Sequence, residues 1–323
     1  MRFGVGRRPE GFVMKGLSEG VTAATQIVRE APRRPLRVRF IRNPRAGRGL
    51  RGFTRLLKRH LSPDAVDYEV AWTRGRGDAE TLAREAAAQG YDVVVAIGGD
   101  GTVNEVGRGL LGAEATSLAI IPTGSGNGFA RHLRIPLSVP GALRRLNRPT
   151  YRHIDVGRIN GHPFFCTAGL GFDAHVSKCF AESTRRGLVT YVRLALQEYG
   201  AYRPRPVRLT IDGAVSDAQC YVLAFANAAQ YGNNAMIAPL ADISDGLLDL
   251  CLIEEMPVRR ALRVAAGLAF GDLPKSRAAI YHKSQEITVT TPEPLGFHVD
   301  GDYMGEAQRF DVTVTPLAIS VCV

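Results

Sequence analysis

Residues 93–97, Val-Val-Val-Ala-Ile, form an unbroken apolar run that ends in Gly98-Gly99-Asp100-Gly101-Thr102. A β-branched run without polar alternation predicts a strand buried on both faces, the environment of a parallel sheet covered by helices. The plan recurs at residues 118–121, Leu-Ala-Ile-Ile, which enter Pro122-Thr123-Gly124-Ser125-Gly126-Asn127-Gly128. Helical character follows each loop, over 103–111 and 129–133. Upstream, an alternating strand at 36–41 leads into Asn43-Pro44-Arg45-Ala46-Gly47, and Phe53, Leu56 and Leu57 then fall at helical spacing. A strand at 68–72, a loop from Thr73 and a helix at 78–89 form the next unit, with Asp78 as expected N-cap and Gly90 as stop. Strand and helix alternate to about residue 135, which predicts an open α/β sheet.

The pattern changes after Pro149. Strand-like runs at 153–159, 164–167, 207–211, 220–226, 247–253, 287–290, 297–299 and 310–314 dominate. Asn160-Gly161, Asp212-Gly213 and Asp300-Gly301 lie among them as hairpin signals. Helices are expected only at 187–199 and 258–270. The division that follows is a flexible basic extension over 1–35, an α/β nucleotide-binding domain over 36–150, and a β-rich substrate domain over 151–323. The last strands are allowed to return to the first domain.

Charge narrows the classes of function. Of 41 Lys+Arg and 31 Asp+Glu, residues 1–60 hold 16 basic and 3 acidic side chains, so the rest of the chain is slightly acidic. Positive field confined to one end, without interleaved aromatics, disfavours a nucleic-acid binder. The five cysteines (Cys166, Cys179, Cys220, Cys251 and Cys322) are odd in number and lack CxxC spacing, as expected of reduced thiols in a cytoplasm. No apolar stretch reaches the roughly 18 residues of a membrane span, and the N-terminus has no secretory h-region. The expectation is a cytoplasmic protein.

Two glycine-rich loops, each leaving a buried strand and opening a helix, present backbone N–H groups and a helix dipole to an anion. A carboxylate, Asp100, among anion-binding amides makes sense if a divalent cation sits between it and phosphates. The plainer reading, tight turns with Asp100 as a helix cap, becomes weaker when two such loops share one sheet. The loops fit neither a Walker motif nor the dinucleotide GxGxxG spacing.

The ordered set of motifs resembles the diacylglycerol kinase catalytic-domain family, which includes bacterial lipid kinases and sphingosine kinases. It comprises Asn43-Pro-Arg-Ala-Gly47, Thr73 with Gly77-Asp78-Ala79, Gly98-Gly-Asp-Gly-Thr-Val-Asn-Glu-Val106, and Ile121-Pro-Thr-Gly-Ser-Gly-Asn-Gly-Phe-Ala-Arg131. Phe225-Ala-Asn227, Asp245-Gly-Leu-Leu-Asp249 and Val299-Asp-Gly301 complete it. The resemblance implies an NAD-kinase-like open α/β nucleotide domain followed by a β-sandwich domain, with ATP, Mg²⁺ and a lipid alcohol meeting between them. It implies nucleotide contacts at Asn43, Ala46, Gly47, Thr73, Gly98, Gly99, Asp100, Gly101, Thr102, Asn104, Glu105, Ser125, Gly126 and Asn127. It further implies catalytic roles for Asp300, Asp302 and Asp100, and a structural divalent-metal site at Asp242, Asp245 and the Leu247 carbonyl. The partners implied are a lipid at a membrane surface, with peripheral attachment to the inner face, and a homodimer is compatible.

Three departures qualify the match. Ala46 stands where a serine hydroxyl is usual, and Gly128 where bacterial diacylglycerol kinases often carry an acid. Asp302 replaces the glutamate of the family's DGE, which shortens the arm and leaves Asp300 and Asp302 both open as the base. An NAD-kinase-like enzyme with a soluble acceptor, and a non-catalytic nucleotide or lipid sensor, remain alternatives. His132 and His153 read as packing or surface histidines, and Trp72 as core. The basic segment from Arg37 to His60 suits triphosphate at Arg42, Arg45 and Arg48, and an anionic leaflet elsewhere, at ~1 kcal/mol per well-placed charge.

Overall fold

The computed structural model describes residues 34–44, 52–185, 187–254, 257, 261 and 279–323. Except for residues 34 and 35 the expected N-terminal extension lies outside this set, as do Arg45, Ala46, Gly47, Arg48, Arg51 and the helix expected at 258–270.

Strands β1 (Leu36–Arg42), β2 (Val66–Trp72), β3 (Val93–Gly98) and β4 (Ser117–Pro122) alternate with helices α1 (Phe53–His60), α2 (Asp78–Ala88) and α3 (Asp100–Leu110). They pair in parallel in the order β2-β1-β3-β4. Every residue of β3 and β4 is buried. Each fully buried Val or Ile contributes roughly 1.5–3 kcal/mol, so the apolar run of β3 fixes the sheet's centre. Helix α2 buries Ala79, Ala83 and Ala86, one face at helical spacing. Its expected N-cap differs: Gly77 is the cap, and the Asp78 carboxylate instead accepts the Arg74 and Gly75 amides at 2.7 and 3.1 Å. Asp78 holds the preceding loop rather than the helix end. Trp72, expected in the core, is 52% exposed because β2 is an edge strand; the Arg42 guanidinium lies 4.6 Å over its ring.

After α4 (Gly128–His132) and α5 (Val139–Arg145) the chain turns to β5 (Tyr151–Ile159), β6 (His162–Phe164) and β7 (Thr167–Gly171). Helices α6 (Phe172–Glu182) and α7 (Leu188–Glu198) follow, then β8 (Arg205–Ile211), β9 (Ala214–Cys220), β10 (Val222–Ala226), β11 (Leu248–Ile253), β12 (Ile280–Ser284), β13 (Glu286–Val299) and β14 (Asp302–Cys322). This second part is β-sandwich-like, with a core that includes Phe164, Leu170, Phe225, Leu250, Ile287, Val289 and Phe310. The three hairpin signals each adopt consecutive positive φ, at Asn160-Gly161, Asp212-Gly213 and Asp300-Gly301, the signature of tight two-residue turns.

Strand β14 joins the two parts. It pairs with β13 and then β5, and Val321 lies in parallel register with Leu118 of β4. The change of partner is marked by a register shift between Thr315 and Ile319, with Leu317 at φ 49. The Asp155 carboxylate secures that kink, accepting Leu317 N at 2.8 Å and Gly246 N at 2.7 Å.

Candidate active site

The two glycine loops meet backbone to backbone. A Cβ built on Gly124 would lie 2.5 Å from the Gly99 Cα, so neither position tolerates a side chain without parting the loops. Asn127, in left-handed conformation at φ 50, closes the second loop: its Oδ1 accepts Gly124 N and its Nδ2 donates to Gly124 O. The Asp100 carboxylate points between the loops and accepts Phe129 N at 3.3 Å. Burial, only partly offset by backbone donors at the start of α4, raises its pKa to about 6, and the charge of Asp300 adds to the rise.

Asp300 sits in the β13–β14 turn, where its carboxylate receives four donors. Phe165 N, Cys166 N, Thr167 N and Asn104 Nδ2 approach at 3.0, 2.8, 3.0 and 2.7 Å. A carboxylate has about four lone-pair sites, so this one is saturated. Burial pushes its pKa up, and these donors oppose the rise. Asp302, on the far side of the turn, is exposed and pairs with Arg76 at 3.0 Å.

A cleft of about 1160 Å³ collects most of the expected residues: Asn43, Thr73, Gly99, Asp100, Gly101, Thr102, Glu105, Ser125, Gly126, Asp300 and Asp302 all line it. Asn104 faces a smaller neighbouring cavity and spends its amide on Asp300. Gly98 lies behind the loop, against the Thr102 side chain, and Asn127 faces its own loop. Ala46 and Gly47 lie outside the described residues. The other end of the cleft is apolar. Val176 and Phe180 of α6 and Tyr191, Val192, Ala195 and Leu196 of α7 form its wall.

Sequence reading missed a buried cluster at the cleft's midpoint. Asp173 Oδ2 accepts the Tyr231 hydroxyl at 3.0 Å and lies 3.1 Å from His298 Nε2. His298 Nδ1 accepts Gly301 N at 3.3 Å, which makes Nε2 the donor to Asp173. The cluster thus ties α6 to the turn carrying Asp300. Its signal was present in Gly169-Leu170-Gly171-Phe172-Asp173, a third glycine-rich strand-to-helix junction; a Cβ on Gly169 would meet Asp173 Oδ2 at 2.3 Å.

The donor set near Asp100 suits Mg²⁺. It offers hard oxygen ligands, and among the described residues neither Asp100 nor Asp300 makes an ion pair with Lys or Arg. The acidic turn at Asp242, Asp245 and Leu247 does not suit a metal. Asp242 accepts Arg152, Ser244 N and Ser244 Oγ on the same oxygen. Lys283 Nζ lies 2.7 Å from Asp245 and 3.3 Å from Asp249. Although burial works against it, the bonds to these acids hold the ammonium above its ordinary pKa. The expected divalent cation is therefore replaced by a side-chain cation. Lys283→Met should cost about 1–3 kcal/mol, less than a fully buried pair because the ammonium is 36% exposed. The wild-type melting temperature without nucleotide should not change between EDTA and Mg²⁺. A Mg²⁺-induced rise that persists in an Asp100→Asn background would restore the metal site.

Comparison with known proteins matches this geometry. A model of the diacylglycerol kinase catalytic domain covers residues 37–159, and one of the YegS C-terminal NAD kinase beta sandwich-like domain covers 166–323. The chain is 29% identical over 280 residues to a diacylglycerol kinase of Bacillus subtilis, spanning 83% of this chain and 90% of the relative. It is 30% identical over 257 residues to a Pseudomonas aeruginosa protein named "Probable lipid kinase YegS-like", spanning 78% of this chain and 82% of the relative. In fold it resembles the crystal structure of a diacylglycerol kinase from Bacillus anthracis, with a TM-score of 0.70 at 22% identity, covering 90% of this chain and 97% of that one.

Proposed function

This chain belongs to the diacylglycerol kinase catalytic-domain family, and from that premise we propose that it transfers the γ-phosphate of ATP to the hydroxyl of a membrane lipid, a diacylglycerol or a sphingoid-type alcohol. Family membership makes it a kinase with an alcohol acceptor. The observation that carries the finer reading is the two-ended cleft, with paired glycine loops at one end, an apolar helical wall at the other, and Asp300 and Asp302 between. An acyl chain fits that wall better than the soluble acceptor of an NAD-kinase-like enzyme, and the unpaired acids Asp100 and Asp300 are costly to keep in a mere sensor.

In this reading the triphosphate rests on the amides of Gly99–Thr102 and Ser125–Gly126, with Thr73 and Asn43 at the loop edge. Asp100 would hold Mg²⁺, which when bound supplies neutralisation of phosphate charge. The lipid oxygen attacks the γ-phosphorus in line as the bridging oxygen departs with ADP. The hydroxyl proton passes to a carboxylate. Asp302 is the better acceptor, because Asp300 has no free lone pair, whereas Asp302 is held only by an exposed partner. Asp300 then acts by fixing the turn and its negative charge. No helix among the described residues is long and apolar enough to cross a membrane, so the protein works peripherally, at the inner face of the membrane.

Radiolabelled ATP with Mg²⁺, presented with diacylglycerol, sphingosine, ceramide, undecaprenol or NAD, tests this. Label should move to a long-chain alcohol. Transfer to NAD alone, or nucleotide binding without transfer to any acceptor, would sink the proposal.

A further inference from the structure

We propose that helices α6 and α7 carry a zinc site formed by His175, Cys179 and Glu198. His175 and Cys179 stand four residues apart on α6, hence on one face of that helix, and Glu198 is the last residue of α7. Their donor atoms converge: His175 Nε2 lies 2.9 Å from Glu198 Oε2 and 3.9 Å from Cys179 Sγ, and all three lie within 4.8 Å of one another. Among the described residues no other group of three such side chains does this; the acidic turn around Asp245 does not.

Geometry and chemistry both suit zinc. Tetrahedral coordination with Zn–N and Zn–O near 2.0–2.1 Å and Zn–S near 2.3 Å separates donors by about 3.3–3.6 Å. The observed pairs bracket that range, so each side chain needs to move by only a few tenths of an ångström. One imidazole, one thiolate and one carboxylate form a borderline-soft set that favours Zn²⁺ over Mg²⁺ or Ca²⁺. All three residues are partly exposed, which gives the ion an entry path and leaves a fourth position for water. The other four cysteines in the chain are buried (Cys166, Cys220, Cys251 and Cys322), so Cys179 is the accessible thiol.

The placement gives the ion a consequence. Neither His175 nor Cys179 lines the cleft, yet α6 and α7 supply its apolar wall through Val176, Phe180, Val192 and Leu196. An ion bridging the two helices would set the width of that wall. A His–Glu hydrogen bond between the helices accounts for two of the three groups. It gives no reason for Cys179 to point at the same spot.

The test uses the full chain, reduced with a non-chelating phosphine and free of nucleotide. After incubation with Zn²⁺ and desalting, elemental mass spectrometry should find one zinc per chain. Cobalt should give the intense visible bands of a tetrahedral ion with a sulfur-to-cobalt charge-transfer band. Cys179→Ser should remove the charge-transfer band. Losing a second-shell partner costs roughly 10–100-fold in affinity, so losing a ligand in Cys179→Ser or Glu198→Gln should weaken zinc by at least about 100-fold. Both variants should keep the wild-type circular dichroism. Failure of the wild-type chain to retain zinc, or equal retention by the two variants, would overturn the proposal. Neither result depends on which lipid is phosphorylated.

Discussion

Asp100→Asn should lower phosphoryl transfer by at least about 10³-fold in kcat while making the nucleotide-free protein more stable. The two effects share one cause. Asp100 lies between two glycine loops where burial raises its carboxyl to about 6, and the neighbouring Asp300 charge opposes its ionisation further. In the unfolded chain the same group titrates near 3.9. The folded state therefore binds the proton more tightly, and stability falls as pH rises from about 4 to about 6, then levels off. At neutral pH the penalty is up to about 3 kcal/mol, at 1.36 kcal/mol per pKa unit. The isosteric amide escapes it and can still accept Phe129 N. Melting temperatures measured without nucleotide or divalent ions should show the variant ahead of wild type at pH 7–8, with the gap closing toward pH 4. A wild-type protein more stable than the variant at pH 8, or a variant with a tenth of normal turnover, would contradict the assignment. The argument also says why such an acid is retained: a site that must attract a cation when loaded carries uncompensated charge when empty.

How much of this was legible in the sequence depends on distance along the chain. The glycine loops are local: each follows its own buried strand, and the apolar runs at 93–97 and 118–121 predict both the sheet and the loop positions. The three hairpin turns are legible for the same reason, since Asn-Gly and Asp-Gly state their φ requirement within two residues. Strand extents are less so. The runs expected at 287–290 and 297–299 are one strand, β13, and the run at 220–226 divides between β9 and β10. Alternation is weak where a strand bends between two sheets. Side-chain roles set by remote partners could not be read at all. The four donors that saturate Asp300 come from residues 133 to 196 positions away, and Arg76 meets Asp302 across 226. Lys283 faces Asp245 across 38 residues, so a motif suggesting metal ligands carried no sign that a lysine fills their place. Asp78 shows the reverse error, a local rule overridden locally: the loop amides of Arg74 and Gly75 compete for the carboxylate that would otherwise cap α2.

The second large effect separates the two acids of the β13–β14 turn. Asp302→Asn should lower kcat by roughly 10²–10⁴-fold, the usual contribution of a positioned proton acceptor, with little change in melting temperature. Its partner Arg76 is exposed, and an exposed pair is worth less than about 1 kcal/mol. Asp300→Asn should also lose activity, but through stability. An amide turned toward this pocket can accept two of the four donors, while its own NH₂ faces the others. Leaving buried donors unmet costs about 1–3 kcal/mol each, so the variant should be destabilised by about 2–5 kcal/mol. Asp302→Glu is the discriminating third case. It restores the longer arm usual in the family at an exposed position, and should keep at least a tenth of wild-type kcat if a carboxylate there takes the proton. Near-normal turnover in Asp302→Asn, or an Asp300→Asn protein that is inactive yet melts like wild type, would transfer the base role to Asp300. That reversal would require Asp300 to release one of its four donors on substrate binding, and Asn104, the one side chain among them, is the donor free to rotate away.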